Sequence, residues 1–468
     1  MVDNSRPQPA AKGGLLSRIK SAERPSDAAQ PLERTAQVAE KPAPRSGSTA
    51  PKPIDLTGSA TSPEIDCDIC IIGAGSGGLV VAAAAANLGV KVVLIEKHKM
   101  GGDCLNFGCV PSKALIAAGK RAHAMRSSGP FGVIPVAPQI DHVAVHNHVK
   151  DVIAAIAPND SVERFTGLGV HVIQAPARFL DKSTVIAGDQ RIKARRFVVA
   201  TGSSPAVPPI PGLDGVPYFT NETIFDNTQR LDRLIIIGGG PIGMEMAQAH
   251  ARLGSKVTVL EGAKALGKDD PELSGFVLKA MRDEGIVIRE GCRVERVEGG
   301  LGQVRVTFSE SGETQSINGT HILIAAGRRC NVSDLGLDQA GIKYDKSGIK
   351  VDAGLTTSNS KVYAIGDVVG GLQFTHMASY HASIVVRRAL FRDVTAKVRE
   401  DHVPWVTYTD PELAHIGLTE DVARTKLGKV NVYRWPYHEN DRAQAERHTE
   451  GLIKVVTDKK NKIVGATI

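Results

Sequence analysis

No run of eighteen apolar residues occurs in the 468-residue chain, so no helix of it is expected to span a membrane. Cysteine is scarce: the six at 67, 70, 104, 109, 292 and 330 are too few and too irregular for a secreted disulfide scaffold. No secretory signal opens the chain, and the expected setting is a reducing, cytoplasmic one, where a disulfide is usually catalytic or regulatory. Nor is there a concentrated basic patch. The net charge of +7 is scattered through doublets such as Arg195-Arg196, Arg328-Arg329 and Arg387-Arg388, with acids among them. That pattern describes a solvated surface rather than a nucleic-acid footprint, and no nucleic-acid partner is expected. No further ligands stand at metal spacing beside the paired cysteines, so no metal site is expected either.

What is abundant is glycine, 48 residues of it, which points to several tight backbone turns. Residues 1–64, rich in Pro, Ala, Ser, Lys, Arg and Glu without periodicity, read as a disordered tail that cannot bury enough apolar surface to offset its chain entropy. LLSRIK at 15–20 has the makings of one amphipathic turn. A transit peptide is disfavoured by Asp3, Glu23, Asp27, Glu33 and Glu40. Order is expected from Ile65, where IDCDICIIG reads as a buried strand entering a turn.

An internal repeat follows. DICIIGAGSGGLVVAAAAANLGVKVVLIE (68–96) matches RLIIIGGGPIGMEMAQAHARLGSKVTVLE (233–261) without a gap at an offset of 165 residues. Each copy reads strand, Gly-x-Gly-x-x-Gly, helix, strand and terminal Glu: a βαβ dinucleotide-binding unit. In the first unit the glycines are Gly73, Gly75 and Gly78, with Glu96 at the strand end; in the second they are Gly238, Gly240 and Gly243, with Glu261. The first glycine makes the tight turn, the second admits a pyrophosphate, and the third lets helix and strand pack closely. The phosphates then meet free N–H groups at a helix N-terminus, and the acid accepts from a ribose diol. Glycines serving only a turn would explain one copy but explain two poorly. Glu261 would repel a 2′-phosphate and favours NADH, although Lys264 and Lys268 blunt that preference and leave NADPH possible.

Residues 101–113, GGDCLNFGCVPSK, place two thiols five positions apart. In a regular helix their Cα atoms are too distant for an unstrained disulfide, so a bridge between Cys104 and Cys109 requires a broken turn. Gly108 and Pro111 are the residue types that permit one. A regular helix is expected through SKALIAAGKRAHAM, and a thiolate at its N-terminus near Lys113 has its charged form stabilised. A structural disulfide or a pair of buried free thiols is the alternative. Cys67 and Cys70 lie on a strand, facing opposite ways, and read as core.

The segment resembles the redox-active stretch of the FAD-dependent pyridine nucleotide–disulfide oxidoreductases, the family of dihydrolipoamide dehydrogenase, glutathione reductase and mercuric reductase. The resemblance runs from about residue 66 to the end and rests on further motifs: ATGSSP (200–205), AAGRRCN (325–331), VYAIGDV (362–368), THMASYHA (375–382), PELAHIGLTE (411–420) and RAQAERHTEGLIKVV (442–456). It implies an α/β fold with two Rossmann-like domains, for FAD and NAD(P), and an α+β interface domain. The implied division is 65–215 and 331–400 for FAD, 216–330 for NAD(P), and 401–468 for an interface domain that is C-terminally incomplete. It also implies a homodimer. Cys109 becomes the flavin-side sulfur, Cys104 the one exchanging with substrate, and Lys113 and Glu245 an ion pair beside the flavin ring. Implied cofactor contacts, beyond the two glycine motifs and their acids, are Lys97, Gly102, Lys113, Thr201, Gly202, Ser203, Gly327, Gly366, Asp367 at the ribityl chain, and Ala378. Implied substrates are a small dithiol or disulfide, or mercuric ion.

Two departures qualify the resemblance. No His-Pro dipeptide occurs in the chain, whereas the family's interface domain supplies a His-Pro-x-x-x-Glu acid/base; NKIVGATI reads as an apolar strand that simply stops. His415, His438 and His448 lack the matching context and read as packing or surface residues. A truncated flavoprotein that does not turn over, acting as a binding or sensing module or only as a diaphorase, is therefore a competing expectation. Asp103 stands where threonine is common in lipoamide and glutathione enzymes, which tilts the expectation towards the mercuric-reductase-like group.

Overall fold

The computed structural model describes residues 64–468, so the expectations for the tail fall outside it except at Glu64, which already belongs to the first strand. That strand, Glu64–Ile72, becomes fully buried from Ile69 onwards, as a β-leaning apolar run does when both sheet faces are covered. It pairs in parallel with Val92–Glu96 on one side and Gln190–Val199 on the other. His171–Gln174 extends the sheet beyond Val92–Glu96, and the antiparallel strands Thr184–Ala187 and Ala177–Phe179 extend the opposite side. The seventh strand, Val362–Ala364, comes from far along the chain and lies parallel to Gln190–Val199. Cys67 and Cys70 sit in the core, as expected, but they pack in one cluster rather than facing opposite ways, because the strand pairing skips Asp68 between Cys67 and Ile69.

The second copy of the repeat forms its own parallel sheet, in the order Val287–Arg289, Lys256–Leu260, Arg233–Ile237, His321–Ile324. The helices that follow the two glycine turns, Ser76–Asn87 and Pro241–Arg252, each have 12 residues, as gapless repetition requires. A three-stranded antiparallel meander spans 293–319. Arg328–Cys330 pairs with Ser203–Pro205 where the chain returns from the second unit to the first.

Residues 404–467 make a five-stranded antiparallel sheet. Ile463–Thr467, the strand read from sequence as simply stopping, lies in the middle of it, between Leu413–Gly417 and Leu452–Asp458. His415 is buried there, its Nδ1 2.8 Å from Thr467 Oγ1 and its ring 4.3 Å from that of Trp405, a packing residue as expected. His438 and His448 are exposed.

This sheet is joined to the second nucleotide unit by ionic contacts. Lys454, 4% exposed, lies 2.8 Å from Asp270, 2.9 Å from Glu272 and 2.9 Å from Glu420. Asp270 also caps the helix Pro271–Asp283 by accepting from the Glu272 N–H. Removing one member of a buried ionic cluster strands the others. Lys454→Met is therefore expected to destabilise the protein by about 3 kcal/mol, read as a lowered thermal midpoint; an unchanged midpoint refutes the clamp.

Candidate active site

The two glycine turns are superimposable in their constraints. Gly73 and Gly238 have φ of +108° and +114°, and a Cβ on either would fall 2.4 or 2.3 Å from the carbonyl oxygen of Ala200 or Ala325. Only glycine tolerates both the left-handed backbone and that approach. A Cβ on Gly78 would lie 1.9 Å from Gly73 O, and one on Gly243 2.0 Å from Gly238 O, which is why helix and strand can close up. Gly75 and Gly240 are the helix N-caps, both extended and both without a side-chain cap, so the first-turn N–H groups remain free for an anion.

Glu96 and Glu261 sit at matching strand ends. Glu96 accepts from the Ala74 N–H at 2.7 Å and the His98 N–H at 2.8 Å; Glu261 accepts from the Gly239 N–H at 2.6 Å and the Ala263 N–H at 2.8 Å. Each acid thus pins its glycine turn and keeps lone pairs for a further donor. Lys97 follows in an exposed bend. Gly102, at φ +59°, passes so close to Gly75 that a Cβ would meet its Cα at 2.6 Å, which brings the segment 101–113 against the first turn.

That segment forms a short helix, Gly102–Asn106, a break at Phe107-Gly108, and a long helix from Cys109 to Arg126. The long helix starts three residues earlier than SKALIAAG suggests, with Pro111 inside its first turn, where its missing N–H costs nothing. A Cβ on Gly108 would stand 2.9 Å from Asp103 Oδ2 and 3.1 Å from Asp103 O, a tight approach that favours glycine at the break. Cys104 and Cys109 are free thiols in mutual hydrogen-bond contact. The hydrogen bond from Cys104 is the main force pulling the Cys109 pKa down to about 6 against the cost of burial, helped by Thr375 and Lys113. Cys104 shifts the opposite way, raised first by donating that bond and then by burial.

Thr375 Oγ1, at the start of the helix Thr375–Phe391, lies 3.4 Å from Cys109 Sγ. Ala378, one turn on, packs at Gly77 and Gly366, whose Cβ positions would lie 3.3 and 3.0 Å from its Cβ. Lys113 Nζ is 2.9 Å from Glu245 Oε2 across 132 residues of sequence, the contact the resemblance implied. Glu245 also accepts from the Tyr408 N–H at 3.0 Å, and the Tyr408 ring centre lies 4.2 Å from Lys113 Nζ.

Asp367 accepts from Ser203 Oγ at 2.6 Å, and burial raises its pKa. Thr201 and Gly202 are tied to Asn331: Thr201 Oγ1 donates to Asn331 O at 2.8 Å, and the Asn331 N–H donates to Gly202 O at 3.0 Å. Gly327 O accepts from the Ala206 N–H in the same crossing. The Gly366 N–H donates to His381 Nδ1 at 3.1 Å; His381 is buried, which lowers its pKa to about 4 and keeps it a neutral acceptor.

Sequence reasoning missed Arg328, Asn331, Thr375, His381 and Tyr408. Four of them lie inside or beside quoted motifs, but their roles depend on contacts with segments more than a hundred residues away or on a helix register no spacing rule reveals. Among the described residues no group of three or more His, Cys, Asp or Glu side chains is placed to hold a metal, and no helix is long and apolar enough to cross a membrane.

Residues 67–382 match the family described as pyridine nucleotide-disulphide oxidoreductase, and residues 403–468 match the dimerisation domain of that description. A mercuric reductase of Bacillus cereus is 36% identical over 408 residues, covering 86% of this chain and 64% of that protein, so the chain spans just under two thirds of that relative's length. A dihydrolipoyl dehydrogenase of Staphylococcus aureus is 34% identical over 419 residues, covering 86% and 87%. Among solved structures, the HOCl-induced flavoprotein disulfide reductase RclA of Escherichia coli, as its Cu(II) complex, superposes with a TM-score of 0.76 at 28% identity, covering 86% and 89%.

With the pair reduced, iodoacetamide is expected to modify Cys109 half-maximally near pH 6, because below that value its thiolate is protonated. Cys104 should react only at higher pH. Cys104→Ala, which removes the donor, should move the Cys109 midpoint upward, and Thr375→Val should move it less. Peptide mapping across about pH 5–9 measures all three; a midpoint at the ordinary thiol value in the parent protein refutes the geometry.

Proposed function

Because the chain belongs to the pyridine nucleotide-disulphide oxidoreductase family, we propose that it is an FAD-dependent oxidoreductase in which a nicotinamide and a Cys104–Cys109 disulfide exchange electron pairs, serving a small dithiol, disulfide or mercuric-ion substrate. The observation that carries this reading is the Lys113–Glu245 pair at 2.9 Å, which fixes an ammonium one helical turn from a Cys109 that is a thiolate at neutral pH. The residues present fit the cofactors: each glycine turn offers uncapped helix N–H groups to a pyrophosphate and a carboxylate to a ribose.

On this reading Gly73, Gly75, Gly78, Glu96 and Gly102 hold one end of FAD, with Thr201, Gly202, Ser203, Gly366, Asp367 and Ala378 along the rest. Gly238, Gly240, Gly243 and Glu261 hold the nicotinamide dinucleotide. When bound, the flavin supplies two-electron transfer between nicotinamide and sulfur. Lys113, oriented by Glu245, presents positive charge where negative charge develops. Thr375 holds the Cys109 sulfur, and Cys104 exchanges with substrate. In sum, NADH, a proton and a disulfide give NAD+ and two thiols, the hydride supplying the electron pair. The match to a dimerisation domain over 403–468 supports a homodimer, and a reducing cytoplasm suits a bridge that must open and close.

Anaerobic addition of NADH to the flavin-loaded protein should bleach the flavin and expose two new thiols, at positions 104 and 109. Cys104→Ser should abolish multi-turnover reduction in parallel assays with lipoamide, glutathione disulfide and Hg2+ while leaving flavin bleaching intact. A protein that binds FAD yet is reduced by neither nicotinamide refutes the proposal, and full activity in Cys104→Ser refutes the sulfur relay. Glu261→Ser, which removes the charge facing a 2′-phosphate, should improve the kcat/KM ratio of NADPH to NADH by about tenfold; an unchanged ratio refutes the assignment of Glu261.

A further inference from the structure

We propose that Asp103 and Arg328 form a charge pair that tunes the Cys104–Cys109 couple, Asp103 favouring the closed bridge and Arg328 the open dithiol. The inference rests on the reading of these cysteines as the exchanging pair. Asp103 immediately precedes Cys104 in the same short helix. Its Oδ1 accepts from Asn221 Nδ2 at 3.2 Å and lies 3.2 Å from Arg328 Nη2. Arg328 is only 12% exposed. Its Nε donates to Ser203 Oγ at 2.6 Å, its Nη2 donates to Ser203 O at 2.9 Å, and its Nε lies 3.7 Å from Asp367 Oδ2. One guanidinium therefore stands between the acid beside the redox sulfurs and the acid of the expected ribityl site.

The charge count around the sulfurs explains the direction. From the long helix and its neighbour, Lys113 and Glu245 cancel. The helix at 375 contributes the neutral Thr375 hydroxyl, and the loop after the strand Pro404–Thr407 the Tyr408 ring. On the remaining side two carboxylates, Asp103 and Asp367, share one guanidinium, leaving a net negative charge. A disulfide adds no charge next to Asp103, whereas an ionising dithiol does. The carboxylate accordingly raises the proton affinity of both sulfurs and holds the couple on the oxidised side. The same aspartate braces the turn through its backbone, since Asp103 O accepts from the Phe107 N–H at 2.8 Å, so a side-chain exchange that keeps its shape isolates the charge.

The test equilibrates the flavin-loaded protein with glutathione buffers, in which the bridge and two glutathione thiols give the dithiol and one glutathione disulfide. Asp103→Asn keeps an oxygen for Asn221 and Arg328 and removes only the charge. Its equilibrium constant should move towards the dithiol by about three- to tenfold, tenfold being about 30 mV for a two-electron couple. The pH midpoint of alkylation should fall as well. Arg328→Gln should move the constant the other way, and the double variant should return close to the parent value. A constant for Asp103→Asn within twofold of the parent, or displaced towards the bridge, overturns the inference even where Arg328→Gln does not fold. Failure of the parent to form any 104–109 bridge in oxidised glutathione overturns both this inference and the redox reading beneath it. A normal bridge indifferent to Asp103→Asn overturns only the inference.

Discussion

A carboxylate that is 6% exposed must find cationic or N–H partners, and Glu245 finds both at the meeting point of three distant segments. Its own helix opens from the second glycine turn. Lys113 comes from the helix that begins at Cys109, and the Tyr408 N–H comes from the terminal region. Satisfying this one side chain fixes the helix Cys109–Arg126 against the helix Pro241–Arg252 and sets the last domain beside them. The ammonium is held by the same contact within one turn of the reactive sulfur. Displacing Glu245 would therefore disturb the seating of the helices Cys109–Arg126 and Pro241–Arg252 and the charge at the thiols together.

The thiols are asymmetric for local reasons. Cys104 donates, Cys109 accepts, and Cys109 adds a helix N-terminus, Thr375 and Lys113. The resulting thiolate character belongs to the sulfur that the family resemblance places on the flavin side. Glycine makes this possible in a steric sense: Gly108 lets the chain fold back over Asp103, and Gly102 lets it press on Gly75. The Cys104–Cys109 turn and the first glycine turn are thus one packed unit. The seam between the two segments of the first unit is sewn by Ser203, Asn331, Arg328 and Asp367.

Relatives that carry out different named activities match this chain about equally, 36% for a mercuric reductase and 34% for a dihydrolipoyl dehydrogenase. On the proposed reading, the glycine turns, the strand-end acids and the Cys104–Cys109 turn would carry the reaction class and not the substrate. Asp103 stands beside Cys104 in sequence, and its contact with Arg328 gives it a physical consequence.

The repeat, the two strand-end acids, the Cys104–Cys109 turn and the break at Gly108 were legible in the sequence because each is local: period, spacing and glycine steric demands act within thirty residues. Lys113–Glu245 was legible only through resemblance, since no spacing rule joins residues 132 apart. Arg328, His381 and Tyr408 were not legible, because their partners are chosen by how the strand Val362–Ala364 and the terminal sheet return to the first unit. The strand at 463–467 shows the same limit: sequence marked it as apolar, while its place in the middle of the sheet came from long-range antiparallel pairing. Local chemistry thus determined where the glycine turns, strand-end acids and paired thiols lie, and the tertiary fold decided which charges stand beside the sulfurs, because electrostatic neighbours are set by distance in space and not along the chain.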